Sequence, residues 1–180
     1  GKKGVNAFTP NKGKTVVLSG SCSVMTNKQV EKYREKAPHF QLDVEQAIHN
    51  ENYIEQLYQW VIANLDSEFA PMVYATVPPD ALKAIQHQFG VDQASHAIEN
   101  TFAKLAAKLK QYGVTNFINA GGETSSIVVQ ELGFTGFHIG KQIAPGVPWL
   151  KAVEEDIFLA LKSGNFGKED FFEYAQGMFL

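Results

Sequence analysis

Asn119-Ala120-Gly121-Gly122-Glu123-Thr124-Ser125-Ser126 is the stretch of this chain best equipped to hold an anion. It follows a short apolar run, Val114 to Ile118, that reads as a buried strand. It precedes Ile127 to Leu132, which reads as a helix closed by Gly133. A glycine pair on a strand-to-helix turn bares backbone N–H groups at a helix N-terminus, where the dipole and the unpaired donors favour negative charge. Gly121 and Gly122 can take φ > 0 and let a ligand approach the main chain. Thr124, Ser125 and Ser126 add hydroxyls suited to capping the helix or to phosphate oxygens. Glu123 could meet Mg2+, directly or through water; the plainer account is a first-turn acid that complements the helix dipole.

Two further loops have the same placement and chemistry. Ser19-Gly20-Ser21-Cys22-Ser23 follows the β-branched run Thr15 to Leu18, and Ser163-Gly164-Asn165-Phe166-Gly167 follows Ile157 to Lys162. In an open α/β sheet, ligands bind beyond the carboxyl ends of the strands. If the three strands are adjacent and parallel, the three loops meet at one crevice. None of them is a GxGxxG fingerprint or a Walker loop, so the pattern specifies a phosphate-like anion and no particular nucleotide. Gly13-Lys14-Thr15 fails as a phosphate loop, because position 8 is Phe8 and the triplet precedes its strand. Lys162 could meet a phosphate or be a solvated strand-end lysine. Asn165 could bind ligand or serve a left-handed turn position. Cys22 lacks any nucleophile signature and reads better as a small packed residue than as a catalytic thiol. The five histidines have no zinc spacing, so no metal site built from side chains is expected.

The elements that must position these loops can be traced along the chain. Residues 1–14 are Gly/Lys/Asn-rich and read as a linker. Thr26 with Gln29 suggests a capping box that opens a helix running to about Lys36, before Pro38. His39 to Val44 and Met72 to Val77 are strand candidates. Glu51 to Leu65 and Ser95 to Gln111 carry helical apolar stripes, and Ala81 to Phe89 reads as a further helix. A strand begins at Phe137, a rigid turn spans Ala144 to Trp149, and a helix spans Asp170 to Phe179. Strand–helix alternation with consecutive strands in the last third predicts an α/β three-layer sandwich: a mixed, mostly parallel sheet with helices on both faces.

Composition bounds the function. With 180 residues, 44% hydrophobic and 19% charged, the chain can build one cored domain, here residues 15–180. A net charge of −3 and a pI near 6.0 argue against nucleic acid, and no apolar run approaches a membrane span. A single cysteine suits a reducing, cytoplasmic setting. The start, Gly1-Lys2-Lys3-Gly4, has no initiator Met and no signal-peptide core, which suggests a tag-cleaved product or a piece of a longer protein.

Taken together, the loops resemble a known family. Ser19 to Ser23 with Thr26 and Gln29, then Gly121-Gly122-Glu123-Thr124, then Pro145-Gly146-Val147-Pro148, then Lys162 to Gly167 are similar, in order and spacing, to the four-carbon acid sugar kinases. The likeness covers nearly the whole chain and is to the C-terminal, nucleotide-binding domain of a two-domain enzyme. It implies a kinase that moves the ATP γ-phosphate to the terminal hydroxyl of 3-oxotetronate, threonate or erythronate, with Mg2+ as companion ion. By that resemblance Ser19, the turn from Gly121 to Thr124 and Gly164 would contact ATP, with Ser21, Gly146 and Asn165 as further candidates. The family often has Asp where this chain has Glu123. The sugar acid and the general base would belong to the N-terminal domain, so residues 1–180 alone should be inactive. Oligomeric state stays open, a homodimer being one option. Two rivals use the same loops differently: a non-catalytic module for a sugar phosphate or other anionic metabolite, and a hydrolase using Cys22.

Overall fold

The computed structural model describes residues 7–180; residues 1–6 of the expected linker lie outside that part. The chain runs β1 (Thr15–Ser19), α1 (Val24–Arg34), β2 (His39–Gln41), α2 (Val44–His49), α3 (Tyr53–Ala63), β3 (Met72–Tyr74), α4 (Pro79–Phe89), α5 (Val91–Tyr112), β4 (Asn116–Ala120), α6 (Gly122–Leu132), β5 (Phe137–Ala144), β6 (Val147–Ala152), β7 (Phe158–Lys162) and α7 (Phe171–Gln176). All seven strands join one sheet in the order β2-β3-β1-β4-β7-β6-β5. The first five in that order pair in parallel; β6 runs antiparallel to both β7 and β5.

Strands buried on both faces need side chains that are apolar on both faces. In β1, Val16 and Leu18 pack with Val73, Phe117 and Leu159 under α3, α5 and α6. Val17, between them, packs with Met72, Ile118 and Ala160 under α1 and α7. Alternate residues of one strand therefore feed two cores, and the three-layer sandwich is realised. Burying one such side chain contributes roughly 1.5–3 kcal/mol, so the central strands are the rigid platform on which the loops rest.

Several local expectations shift for identifiable reasons. The cap of α1 is Ser23, not Thr26: the Ser23 Oγ accepts from the Thr26 N–H at 3.1 Å. Thr26 and Gln29 are instead wholly buried and bond to the loop after β7. Replacing Ser23 by alanine should lower the unfolding free energy by about 1 kcal/mol. A urea midpoint shift with an unchanged m-value would register it, and no shift would mean the cap is idle. The expected strand from His39 to Val44 ends at Gln41, because Asp43 caps the short helix α2 through the N–H groups of Glu45 and Gln46. The rigid turn is shorter than expected, since Val147 to Trp149 belong to β6. Residues 8–12 bond to β5 and to the chain's last residue, with the Lys141 N–H donating to the Phe8 carbonyl and the Leu180 N–H to that of Pro10.

Candidate functional site

The chain leaves β1 toward β3 and β2, then returns to place β4 on the other side of β1. That reversal is where an open parallel sheet forms a crevice at its carboxyl end. Ser19 of β1 pairs with Ala120 of β4, and Ala120 with Lys162 of β7, so three adjacent parallel strands end in register. The three small-residue loops leave from that common rim. Ser21, the residues from Gly121 to Thr124, and Gly164 line a cleft of about 400 Å³.

Glycine is required at two points of this rim. Gly121 has φ 122°, and a Cβ there would lie 3.0 Å from the Ser21 nitrogen. Gly20 sits against α6, where a Cβ would come 2.1 Å from the Thr124 Oγ1. The loops are tied together by the main chain. The N–H groups of Gly20 and Ser21 donate to the Ala120 carbonyl, and that of Gly121 donates to the Lys162 carbonyl at 2.7 Å. Those donors are occupied. Gly122, Glu123 and Thr124 open α6, have no intrahelical acceptor and receive no side-chain cap. The expected hydroxyl cap is thus absent here, and the helix begins at Gly122, five residues earlier than its apolar stripe suggested. These three N–H groups are the donors available to an anion.

The other residues singled out from sequence play varied parts. The Ser19 hydroxyl is buried and bonds to the Thr76 hydroxyl at 2.6 Å, behind the cleft wall. The Ser21 Oγ accepts from the Ser23 N–H and from the Thr26 hydroxyl. Asn165 has no left-handed backbone; its Oδ1 accepts from the Met25 N–H and so fastens the β7–α7 loop to the start of α1. Gly146 is not on the cleft. It turns the β5–β6 hairpin at φ 81°, where a Cβ would press on the Phe166 ring at 3.0 Å. Glu123 is exposed on the first turn of α6, facing the cleft.

Sequence reasoning missed the opposite wall. Leu82 and Ile85 of α4 and Ala94 and Ile98 of α5 form an apolar surface, with Gln86, Ser95 and Glu99 among them. α4 has no fully buried residue: Ile85 and Phe89 pack on the edge of the core, and Leu82 and Ile85 also line this cleft. That placement is legible only once the packing is known. The charged side chains lining the cleft are Glu99 and Glu123, both acidic.

Lys162 is not the solvated strand-end residue that was one of its two readings. It is fully buried, and its Nζ donates to the Thr26 Oγ1 at 2.9 Å and to the Gly164 carbonyl. Desolvation lowers its pKa to about 8. Burial moves the Cys22 thiol the other way, upward, which keeps it protonated. Alkylation of Cys22 by iodoacetamide at pH 7.5 should therefore run at least about threefold slower than that of a free cysteine. Equal or faster reaction, followed by mass spectrometry, would contradict this.

A switch-point cleft with helix N–H groups and glycine loops defines an α/β domain built to receive a phosphate-bearing ligand. The model of a family described as the nucleotide-binding C-terminal domain matches residues 16–172, and the chain belongs to that family. The chain is 98% identical over its full length to a 3-oxo-tetronate kinase of Haemophilus influenzae, and 87% identical to one of Actinobacillus succinogenes. In both cases it spans 44% of the relative's length. A crystal structure of a Haemophilus influenzae protein superposes with a TM-score of 0.96 at 98% identity, covering 98% of this chain and 43% of that one. No helix among the described residues is long and apolar enough to cross a membrane.

Proposed function

We propose that residues 15–180 are the ATP-binding domain of a kinase that phosphorylates the terminal hydroxyl of a four-carbon sugar acid, with 3-oxotetronate the leading substrate. The observation that carries this reading is the meeting of three glycine-bearing loops at the in-register ends of β1, β4 and β7. The names of the near-identical relatives supply the acceptor.

In this reading the N–H groups of Gly122, Glu123 and Thr124 receive phosphate oxygens, with Gly164 and the Ser21 hydroxyl on the other side. Phosphoryl transfer needs mainly positioning and charge stabilisation, which main-chain donors supply without unusual side chains. The apolar wall of Leu82, Ile85 and Ile98 suits the face of a purine, and Gln86 and Ser95 suit its polar edge. Mg2+ would neutralise the phosphates. Glu123, on the cleft, would be the carboxylate that holds this ion, directly or through water. The sugar acid and the general base would come from the part of such an enzyme outside these 180 residues, with residues 1–14 leading into the nucleotide domain. Sugar-acid phosphorylation by this chain alone would contradict that division.

Calorimetric titration tests the reading. MgATP should bind well ahead of inorganic phosphate and of sugar phosphates, and a bulky residue at Gly164 should weaken it. Affinity for ATP no better than for phosphate would overturn the proposal, and preference for a sugar phosphate would favour a non-catalytic binding module.

A further inference from the structure

A lysine with no exposed surface and no carboxylate partner is costly. Removing an ammonium from water carries a penalty of several kcal/mol unless another charge answers it. Lys162 is fully buried, and none of the ion pairs among the described residues includes it. Its hydrogen bonds go to a hydroxyl and a carbonyl, which solvate the cation without neutralising it. The second acceptor is the carbonyl of Gly164, a residue of the cleft wall. The first is Thr26, whose hydroxyl lies 3.0 Å from that same carbonyl and 3.1 Å from the Ser21 Oγ, with one proton to serve either. One buried ammonium thus ties the β1 loop, the start of α1 and the β7 loop behind the cleft.

The cleft itself has the wrong charge for its ligand. Glu99 and Glu123 are its charged lining residues, and helix N–H groups contribute only partial charges. Resting on the nucleotide reading above, we infer that Lys162 is the fixed cation of the phosphate subsite. It is a positioning residue that holds the Gly164 carbonyl inward and whose charge is balanced when nucleotide phosphates occupy the cleft.

The groups packed on Lys162 isolate its charge. Thr26 comes from α1 and Ala120 from β4, and Ser163 to Gly167 has no ionisable side chain. Glu123 lies on α6 at the cleft, and Glu173 of α7 is paired with Lys36 at 3.3 Å. A phosphate beside the cleft wall favours the protonated lysine, so binding should take up a proton as pH rises past about 8.

The experiment measures MgATP and adenosine affinities by calorimetry from pH 7 to 9.5 for the wild type and Lys162→Met, together with the thermal midpoint of each ligand-free protein. The wild type should lose MgATP affinity above pH 8 by about tenfold per pH unit at the steepest, while adenosine binding stays flat. Lys162→Met should bind MgATP about tenfold or more weakly, keep adenosine affinity and lose the pH dependence. Its ligand-free form should melt no lower than the wild type, because a buried uncompensated charge has been removed. A purely structural lysine predicts the opposite: a lower melting point and equal losses for both ligands. MgATP affinity within twofold of the wild type, or equal losses for ATP and adenosine, overturns the inference alone. A wild type that binds neither ligand overturns the nucleotide reading and this inference with it. Should Lys162→Met fail to fold, the wild-type profile decides, and a flat MgATP profile to pH 9.5 overturns the inference.

Discussion

Gly121→Ala should reduce MgATP affinity by about a hundredfold or more, roughly the loss of two good hydrogen bonds to a charged ligand. Two effects combine. The backbone at φ 122° strains any residue with a Cβ, at a cost of order 1–3 kcal/mol. The new methyl would also stand 3.0 Å from the Ser21 nitrogen, which is main chain and already bonded to Ala120. Neither side can yield without separating the β1 loop from the start of α6, and that separation moves the Gly122, Glu123 and Thr124 donors. Gly122→Ala is the control. Its Cβ would meet only the Ser163 Oγ, at an ordinary 3.6 Å, and its φ is not left-handed. It should weaken binding severalfold at most. Calorimetry on both variants checks this, and Gly121→Ala binding within threefold of the wild type would show that the rim geometry does not matter.

The second large effect is on stability. Gly20→Ala should destabilise the protein by about 2–3 kcal/mol, in the range of overpacked cores, because its methyl would meet the Thr124 Oγ1 at 2.1 Å. The clash is with one side-chain atom, and the remaining neighbours, the Thr124 Cβ and the Phe102 ring, lie at 3.4 Å. Adding Thr124→Ala should therefore recover most of the loss. The double variant would be more stable than the sum of the single changes by 1 kcal/mol or more, a coupling expected only of residues in contact. Urea unfolding of all four proteins measures it. Additive losses would place the strain in the backbone rather than at Thr124.

What could be read from the sequence was set by period and by punctuation. Val16, Val17 and Leu18 announce a strand covered on both faces, and Gly121-Gly122 marks a strand-to-helix turn; both hold. The layer architecture followed from alternation. The sequence did not reveal what depends on distant pairing. Thr26 and Gln29 have capping-box chemistry, yet they lie inward because the β7 loop needs their side chains, and Ser23, three residues before Thr26, takes the cap. Lys162 looks like any strand-end lysine until the register places it on the face that α1 covers. Leu82 and Ile85 look like core positions, and only the packing shows that both are half-buried and line the cleft, Ile85 at the edge of the core. Asn165 and Gly146 carry family-like motifs, but the first fastens α1 and the second makes room for Phe166.

The central claim is that main-chain donors at the shared rim of β1, β4 and β7 grip the phosphates. Amide NMR spectra recorded during a titration with MgADP and then with MgATP test it most directly. The account predicts saturable shifts concentrated at Gly122, Glu123, Thr124 and Gly164, with Leu82, Ile85 and Ile98 responding to the base. Largest shifts instead in the hollow lined by Ile143, Pro145, Phe166 and Tyr174, or no saturable shift at Gly122 to Thr124, would contradict it.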